Sequence, residues 1–115
     1  MRNGKGRKPN GSMRTIRLMA ERIARRFHPE RIILFGSHAA GTAGPDSDAD
    51  LLVVMNCRGS KRGKAIEMDV AVSELGMAKD IIVVTPADAR RLRGVPGTIT
   101  AMALSEGKTL YERQA

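Results

Sequence analysis

The spacing of apolar residues changes along the chain, and each change predicts an element. Over residues 15–27, Ile16, Met19, Ala20, Ile23 and Phe27 recur at helical spacing, with Arg14, Arg17, Arg22, Arg25 and Arg26 mostly off that stripe. This predicts an amphipathic helix with a solvated basic face. His28-Pro29 ends it, because the residue before a proline is driven out of the α region. Short runs follow at 31–35, apolar from Ile32 onward, and as unbroken apolar stretches at 51–55 and 81–84. Runs of this length between turn residues predict buried strands, and the second, apolar throughout, belongs at the centre of a sheet. Residues 61–75 read as a helix with Ile66, Val70 and Leu75 turned inward and Gly76 as the stop. Thr85-Pro86-Ala87-Asp88 is a helix start, with a threonine cap, proline in the first turn and an acid at the third position. That helix ends near Gly94, Val95-Pro96-Gly97 is a turn, and a last helix over 98–106 is closed by Gly107. Residues 109–111 add a short edge strand. There is no internal repeat.

The polar residues between the runs set the topology. The first run ends at Gly36-Ser37, and a short helical segment at 38–41 leads into the turn-rich stretch Gly41 to Ser47. Asp46 reads there as an Asx-turn residue. The second run is preceded by Asp48-Ala49-Asp50, with ten residues between Ser37 and Asp48, and the third by Asp80. If these groups line one site, strands one and two are antiparallel. Strands two and three are then parallel, with the 61–75 helix as crossover. The expected fold is α/β (α+β): a small mixed sheet with helices packed on it.

Composition narrows this picture. The chain has 115 residues, 42% hydrophobic but only 3% aromatic, so it forms one small domain with an aliphatic core. Residues 1–12 lack periodicity and are expected to be a disordered basic tail before a single domain at 13–115. No run approaches the ~18 apolar residues of a membrane span, and the N-terminus has no apolar signal region. One cysteine, Cys57, fits a small residue at a strand end and a reducing, cytoplasmic location. The formal net charge is +8. Such charge attracts nucleic acid or an acidic partner, but Arg2, Lys5, Arg7 and Lys8 sit in the tail, and aromatics for base stacking are nearly absent. A nucleic-acid role is therefore open but not favoured.

The acidic residues carry the chemistry. Side chains two apart on a strand share a face, so Asp48 and Asp50 point together. Two such charges ~4 Å apart repel by about 4 kcal/mol at an effective dielectric of 20, and Asp80 adds to this. A cluster of this kind needs a cation or a proton. Oxygen-only ligands suit Mg²⁺ or Mn²⁺ rather than zinc, and His28, His38 and Cys57 are not spaced as zinc ligands. Gly36 lets the backbone approach a ligand, and Ser37 with nearby N–H groups favours a phosphate. Ser47 joins them as a nucleotide-binding candidate. A phosphate pocket beside a two-metal cluster implies phosphoryl or nucleotidyl transfer, with Asp48, Asp50 and Asp80 as catalytic and metal-binding residues. No Gly-Lys-Ser/Thr follows, so this is not a P-loop.

At Gly36, Ser37, Asp48, Asp50 and Asp80 the chain resembles a minimal nucleotidyltransferase of the polymerase-β-like superfamily. The resemblance spans about residues 14–113, including Phe-His-Pro-Glu-Arg-Ile-Ile-Leu-Phe-Gly-Ser, Asp-Ile-Ile-Val-Val-Thr-Pro and the closing Glu-Gly-Lys-Thr-Leu-Tyr-Glu-Arg. Standalone members of this size resemble the antitoxin half of a two-protein system. The resemblance implies an adenylyltransferase that moves AMP from ATP to a tyrosine on a HEPN-domain RNase toxin, with the acceptor site completed by that partner. One departure stands out. Many relatives carry arginines after Gly-Ser, whereas this chain reads His38-Ala39-Ala40. The triphosphate then needs another base, with Arg58, Lys61, Arg62 and Lys64 nearby in sequence. The alternatives are an antitoxin that neutralises by binding alone, and a basic nucleic-acid-binding module.

Overall fold

The computed structural model describes residues 11–114. The chain runs α1 (Gly11–Phe27), β1 (Arg31–Phe35), α2 (Ser37–Ala40), β2 (Ala49–Val54), α3 (Lys61–Ala71), β3 (Lys79–Val84), α4 (Pro86–Leu92), α5 (Ile99–Glu106) and β4 (Lys108–Glu112), with a 3-10 turn at Ser73–Leu75. The four strands form one sheet in the order β3-β2-β1-β4. β1 is antiparallel to β2 and β4, and β2 is parallel to β3 across the α3 crossover. This is the mixed sheet that the acidic spacing predicts. β2 is central, and five of its six residues are buried.

Alternation along the strands divides the core into two layers. Ile32, Leu34, Leu51, Val53, Ile81 and Val83 pack on one face against Ile16, Met19 and Ile23 of α1 and Met68 of α3. Ile33, Phe35, Leu52, Val54 and Val84 pack on the other against Ala103 of α5. Gly107 permits that second contact, because a Cβ there would lie 2.5 Å from both the Ala103 carbonyl oxygen and Ile33 Cγ2. Thr85 and Asp88 form a reciprocal capping box at α4, and Thr98 caps α5 through the Ala101 N–H.

Three local readings change. α1 begins at Gly11 rather than Thr15, so Gly11 and Ser12 of the expected tail are helical, while its first ten residues lie outside the described ones. The turn before β2 is closed by Ser47, whose hydroxyl accepts from Gly44 N–H at 2.9 Å, and not by Asp46. The largest change is the rotation of α3. Ile66 and Val70 are 55% and 66% exposed, while Met68 and Val72 are fully buried. Both pairs obey the four-residue helical spacing, offset from each other by two positions, so they lie on nearly opposite sides. The side that faces the sheet is fixed by the contacts of the helix ends. Ser60 caps its start, Lys61 pairs with Asp88 at 2.8 Å, and Asp69 pairs with Lys79 of β3 at 3.2 Å. Leu75 does reach the core edge.

Truncation separates the two stripes. Met68→Ala should cost about 2–4 kcal/mol by cavity formation, whereas Ile66→Ser and Val70→Ser should each stay within about 0.5 kcal/mol. Urea unfolding of the three variants measures the ranking, and the reverse order would return Ile66 and Val70 to the core.

Candidate active site

The site forms where β1 ends and β2 and β3 begin. In the antiparallel pair Phe35 lies opposite Asp50, and in the parallel pair Asp50 lies opposite Asp80. Residues opposite one another share a face, so the Asp50 and Asp80 side chains leave the sheet on the same side. Asp48, two residues before Asp50, belongs to that side as well. It is the side on which α5 packs, but the helix covers the apolar part and leaves Asp50 half-buried and Asp48 and Asp80 exposed.

Gly36 adopts φ 74° and ψ −154°, a conformation available in practice only to glycine. A Cβ at Gly36 would also overlap the Oδ2 atom of Asp50. The Asp50 carboxylate therefore rests directly on the backbone between β1 and α2. Ser37 opens α2, whose first turn is closed by the Ala40 N–H donating to the Gly36 carbonyl at 3.0 Å. Among the described residues the Ser37 hydroxyl makes no hydrogen bond. Ser47 is committed differently from Ser37. Its hydroxyl holds the turn, and its carbonyl oxygen takes a hydrogen bond from His38 Nε2 at 3.0 Å. A carbonyl can only accept, so Nε2 carries the proton. His38 thereby ties α2 to the residue immediately before Asp48, an arrangement that no residue pattern signals.

Burial pushes the Asp50 carboxyl above its ordinary value, the charges of Asp80 and Asp48 push it further, and His38 opposes the rise. The three acids thus sense one another. Among the described residues, however, no three His, Cys, Asp or Glu side chains converge closely enough to hold a metal ion. The donor set nevertheless fits a hard divalent cation, being all carboxylate oxygen with the repulsion that a cation relieves.

The basic residues expected nearby divide. Lys61 donates to Asp88, which Lys61, Arg91 and the Thr85 backbone hold well below the usual carboxylate range. Lys64 reaches Glu67 and lies over the Phe27 ring. Arg62 lines a cavity that also includes Asp80. Cys57 sits in the loop after β2 with Sγ 3.7 Å from two carbonyl oxygens, away from the acids.

Comparison with known proteins places this geometry. A family model described as a nucleotidyltransferase domain matches residues 16–107, a span holding every residue of the site. Among solved structures, a chain of a toxin–antitoxin complex with AMP-PNP is 22% identical at TM-score 0.58, with 85% of this chain and 74% of that chain covered. A putative nucleotidyltransferase from Sulfolobus solfataricus is 22% identical at TM-score 0.54, with 88% and 80% covered. A chain of the toxin–antitoxin MntA-HepT is 17% identical at TM-score 0.57, with 89% and 74% covered. At these identities the likeness concerns the fold. No curated protein matches the chain.

Two measurements follow from the packing of Asp50. Gly36→Ala should destabilise by about 1–3 kcal/mol through backbone strain and overlap, read by chemical unfolding; a neutral substitution would mean that Asp50 does not rest there. With no divalent cation present, Asp80→Asn should raise the melting temperature at pH 7 by about 2–4 °C, the effect of ~0.5–1 kcal/mol between largely exposed charges. The raised pKa of Asp50 means that its ionised form weakens the fold above that pKa. The penalty fades as pH falls toward the ordinary value of 3.8. The gain from Asp80→Asn should fade with it, and a gain that grew on acidification would contradict the shared field.

Proposed function

The chain belongs to the nucleotidyltransferase domain family, and from that membership we propose that it transfers AMP from ATP to a hydroxyl of a partner protein. The acceptor is a tyrosine of a HEPN-type RNase toxin, which the modification silences, so the chain acts as an antitoxin. The observation that carries this reading is the strand register, which sets Asp50 opposite Asp80 on one side and opposite Phe35, two residues before Ser37, on the other. Two of the solved relatives in fold are toxin–antitoxin complexes, one of them with AMP-PNP, which supports the class of partner and of nucleotide.

In this reading Asp48 and Asp50 would hold the divalent cations, Mg²⁺ or Mn²⁺, and Asp80 would join them as a ligand. Bound cations would neutralise the triphosphate and favour the ionised acceptor hydroxyl. The Gly36-Ser37 backbone and the free Ser37 hydroxyl receive the phosphates, and the Ser47 turn forms the opposite wall. The acceptor oxygen attacks the α-phosphorus and a new O–P bond forms. The bond to the β-phosphate breaks, pyrophosphate leaves, and the acceptor proton passes to the Asp80 carboxylate. His38 keeps the 42–48 loop against α2, which fixes where Asp48 enters the site.

A second reading has its own observation. Where many relatives have arginines, His38 bonds to Ser47 and Ala40 is an exposed methyl group. A protein with so few cations beside Ser37 could neutralise its partner by occlusion.

One assay decides between them. The purified chain, labelled ATP, Mg²⁺ and the product of the neighbouring gene, as candidate partner, are incubated, and label on the partner is measured. Transfer should be lost on chelation. Asp48→Asn with Asp50→Asn should lower it by about a thousandfold, the equivalent of ~4 kcal/mol of lost charge stabilisation. Absence of label, together with full neutralisation by the double variant, would establish occlusion instead.

A further inference from the structure

β3 is an edge strand. It pairs with β2 on one side, and no strand pairs with its other side among the described residues. Along that side lies the outward face of α3, where Ile66 and Val70 are 55% and 66% exposed one helical turn apart. Between helix and edge is a cavity of about 290 Å³, lined by Arg62, Ile66, Val70, Lys79 and Asp80 among others.

The charges around this groove are unequal in their commitments. Lys79 has a side chain only 10% exposed and is held by Asp69 at 3.2 Å, so that pair is internally balanced. Arg62 makes no ion pair among the described residues, and Asp80 is exposed. The groove therefore offers an apolar wall with one free cation on its rim and, at the strand edge, Asp80, whose side chain leaves the sheet on the opposite, α5 side. That combination suits a side chain with an apolar body and a polar tip.

A second apolar patch makes the contrast. Val95, Ile99 and Met102 are also exposed, and Ile99 and Met102 line a larger cavity of about 470 Å³. None of Asp48, Asp50 and Asp80 lines it. An acceptor hydroxyl has to come within hydrogen-bond reach of the group that takes its proton. Of the two patches, only the α3–β3 groove includes Asp80.

We propose that this groove receives the acceptor-bearing segment of the partner protein. Apolar side chains flanking the acceptor residue cover Ile66 and Val70, Arg62 meets an acidic or carbonyl group beside them, and the acceptor hydroxyl lies at Asp80. The proposal rests on the reading of the chain as a transferase acting on a protein, and it adds which surface selects that protein.

The test uses the full chain and the product of the neighbouring gene as candidate partner. Ile66→Ser with Val70→Ser changes two exposed side chains, and Ile99→Ser with Met102→Ser serves as the comparison. Complex formation is titrated by calorimetry without ATP, transfer kinetics are measured with Mg²⁺-ATP, and the melting shift caused by Mg²⁺-ATP alone reports the nucleotide site. The α3 variant should bind the partner at least tenfold more weakly and show a correspondingly higher KM for it, with kcat and the melting shift unchanged. The α5 variant should match the native chain. Native affinity and KM in the α3 variant, or the loss appearing in the α5 variant instead, would overturn the proposal while leaving transfer itself intact. A native chain that transfers nothing but loses binding on the α3 changes would overturn the transferase reading and leave the docking surface standing.

Discussion

Asp50 lies against a piece of backbone that only glycine can supply, and two further carboxylates leave the sheet on its side. Both the shape of the site and its energetic cost begin there. The parallel pairing of β2 with β3 brings Asp80 level with Asp50, and the antiparallel pairing of β1 with β2 brings Gly36 and Ser37 to the same end. Neither pairing can slip by one residue without parting Asp80, or Gly36 and Ser37, from their alignment with Asp50. The register is secured by the buried run Leu51 to Val54 between Ile32–Phe35 on one side and Ile81–Val84 on the other. The aliphatic core thus does more than stabilise the domain, because it fixes the alignment that the acids oppose.

That opposition is local. Most of the core lies on the α1 and α3 face, where the strands bury Ile32, Leu34, Leu51 and Val53 completely. The acidic end is on the other face, under a thinner layer in which Ala103 is the only fully buried residue of α5 with an apolar side chain. A thin cover leaves Asp48 and Asp80 in water, which screens them and keeps the penalty of an unfilled site small. A thick cover would bury three charges without partners, a cost of several kcal/mol. The placement of the site on the thinly covered face is consistent with both stability and access.

Much of this was legible in the residues. The three strands, their relative directions and the grouping of Gly36, Ser37, Asp48, Asp50 and Asp80 all follow from where apolar runs start and stop. Those signals are strong because register and burial are dictated by the same residues. The rotation of α3 was not legible. Ile66 with Val70 and Met68 with Val72 obey the same spacing, and weighting β-branched aliphatics over methionine selects the wrong pair. The deciding contacts, Lys61 with Asp88 and Asp69 with Lys79, join residues distant in sequence or buried in an unusual way. For the same reason the loop cations could not be apportioned. Lys61 is taken by Asp88, which only the fold brings close, Lys64 reaches Glu67 on its own helix and lies over the Phe27 ring, and Arg62 is left lining the same cavity as Asp80. His38 reads in sequence as a missing arginine and acts in the structure as a tie to Ser47.

The start of β3 reconciles two requirements that usually conflict. An exposed edge strand invites pairing with other chains, and proteins guard such edges with charge. On the proposed function, that edge has to stay open where the acceptor enters. β3 begins with Lys79 and Asp80, and only then turns apolar. Lys79 is drawn inward by Asp69 and anchors the crossover helix, while Asp80 stays outside as a fixed charge on the edge. Indiscriminate strand addition would have to desolvate that charge without a partner. A segment that brings a hydroxyl to Asp80 and a complementary group to Arg62 does not meet this penalty. On the proposed function, the residue that takes the acceptor proton is therefore also the one that keeps the open edge selective.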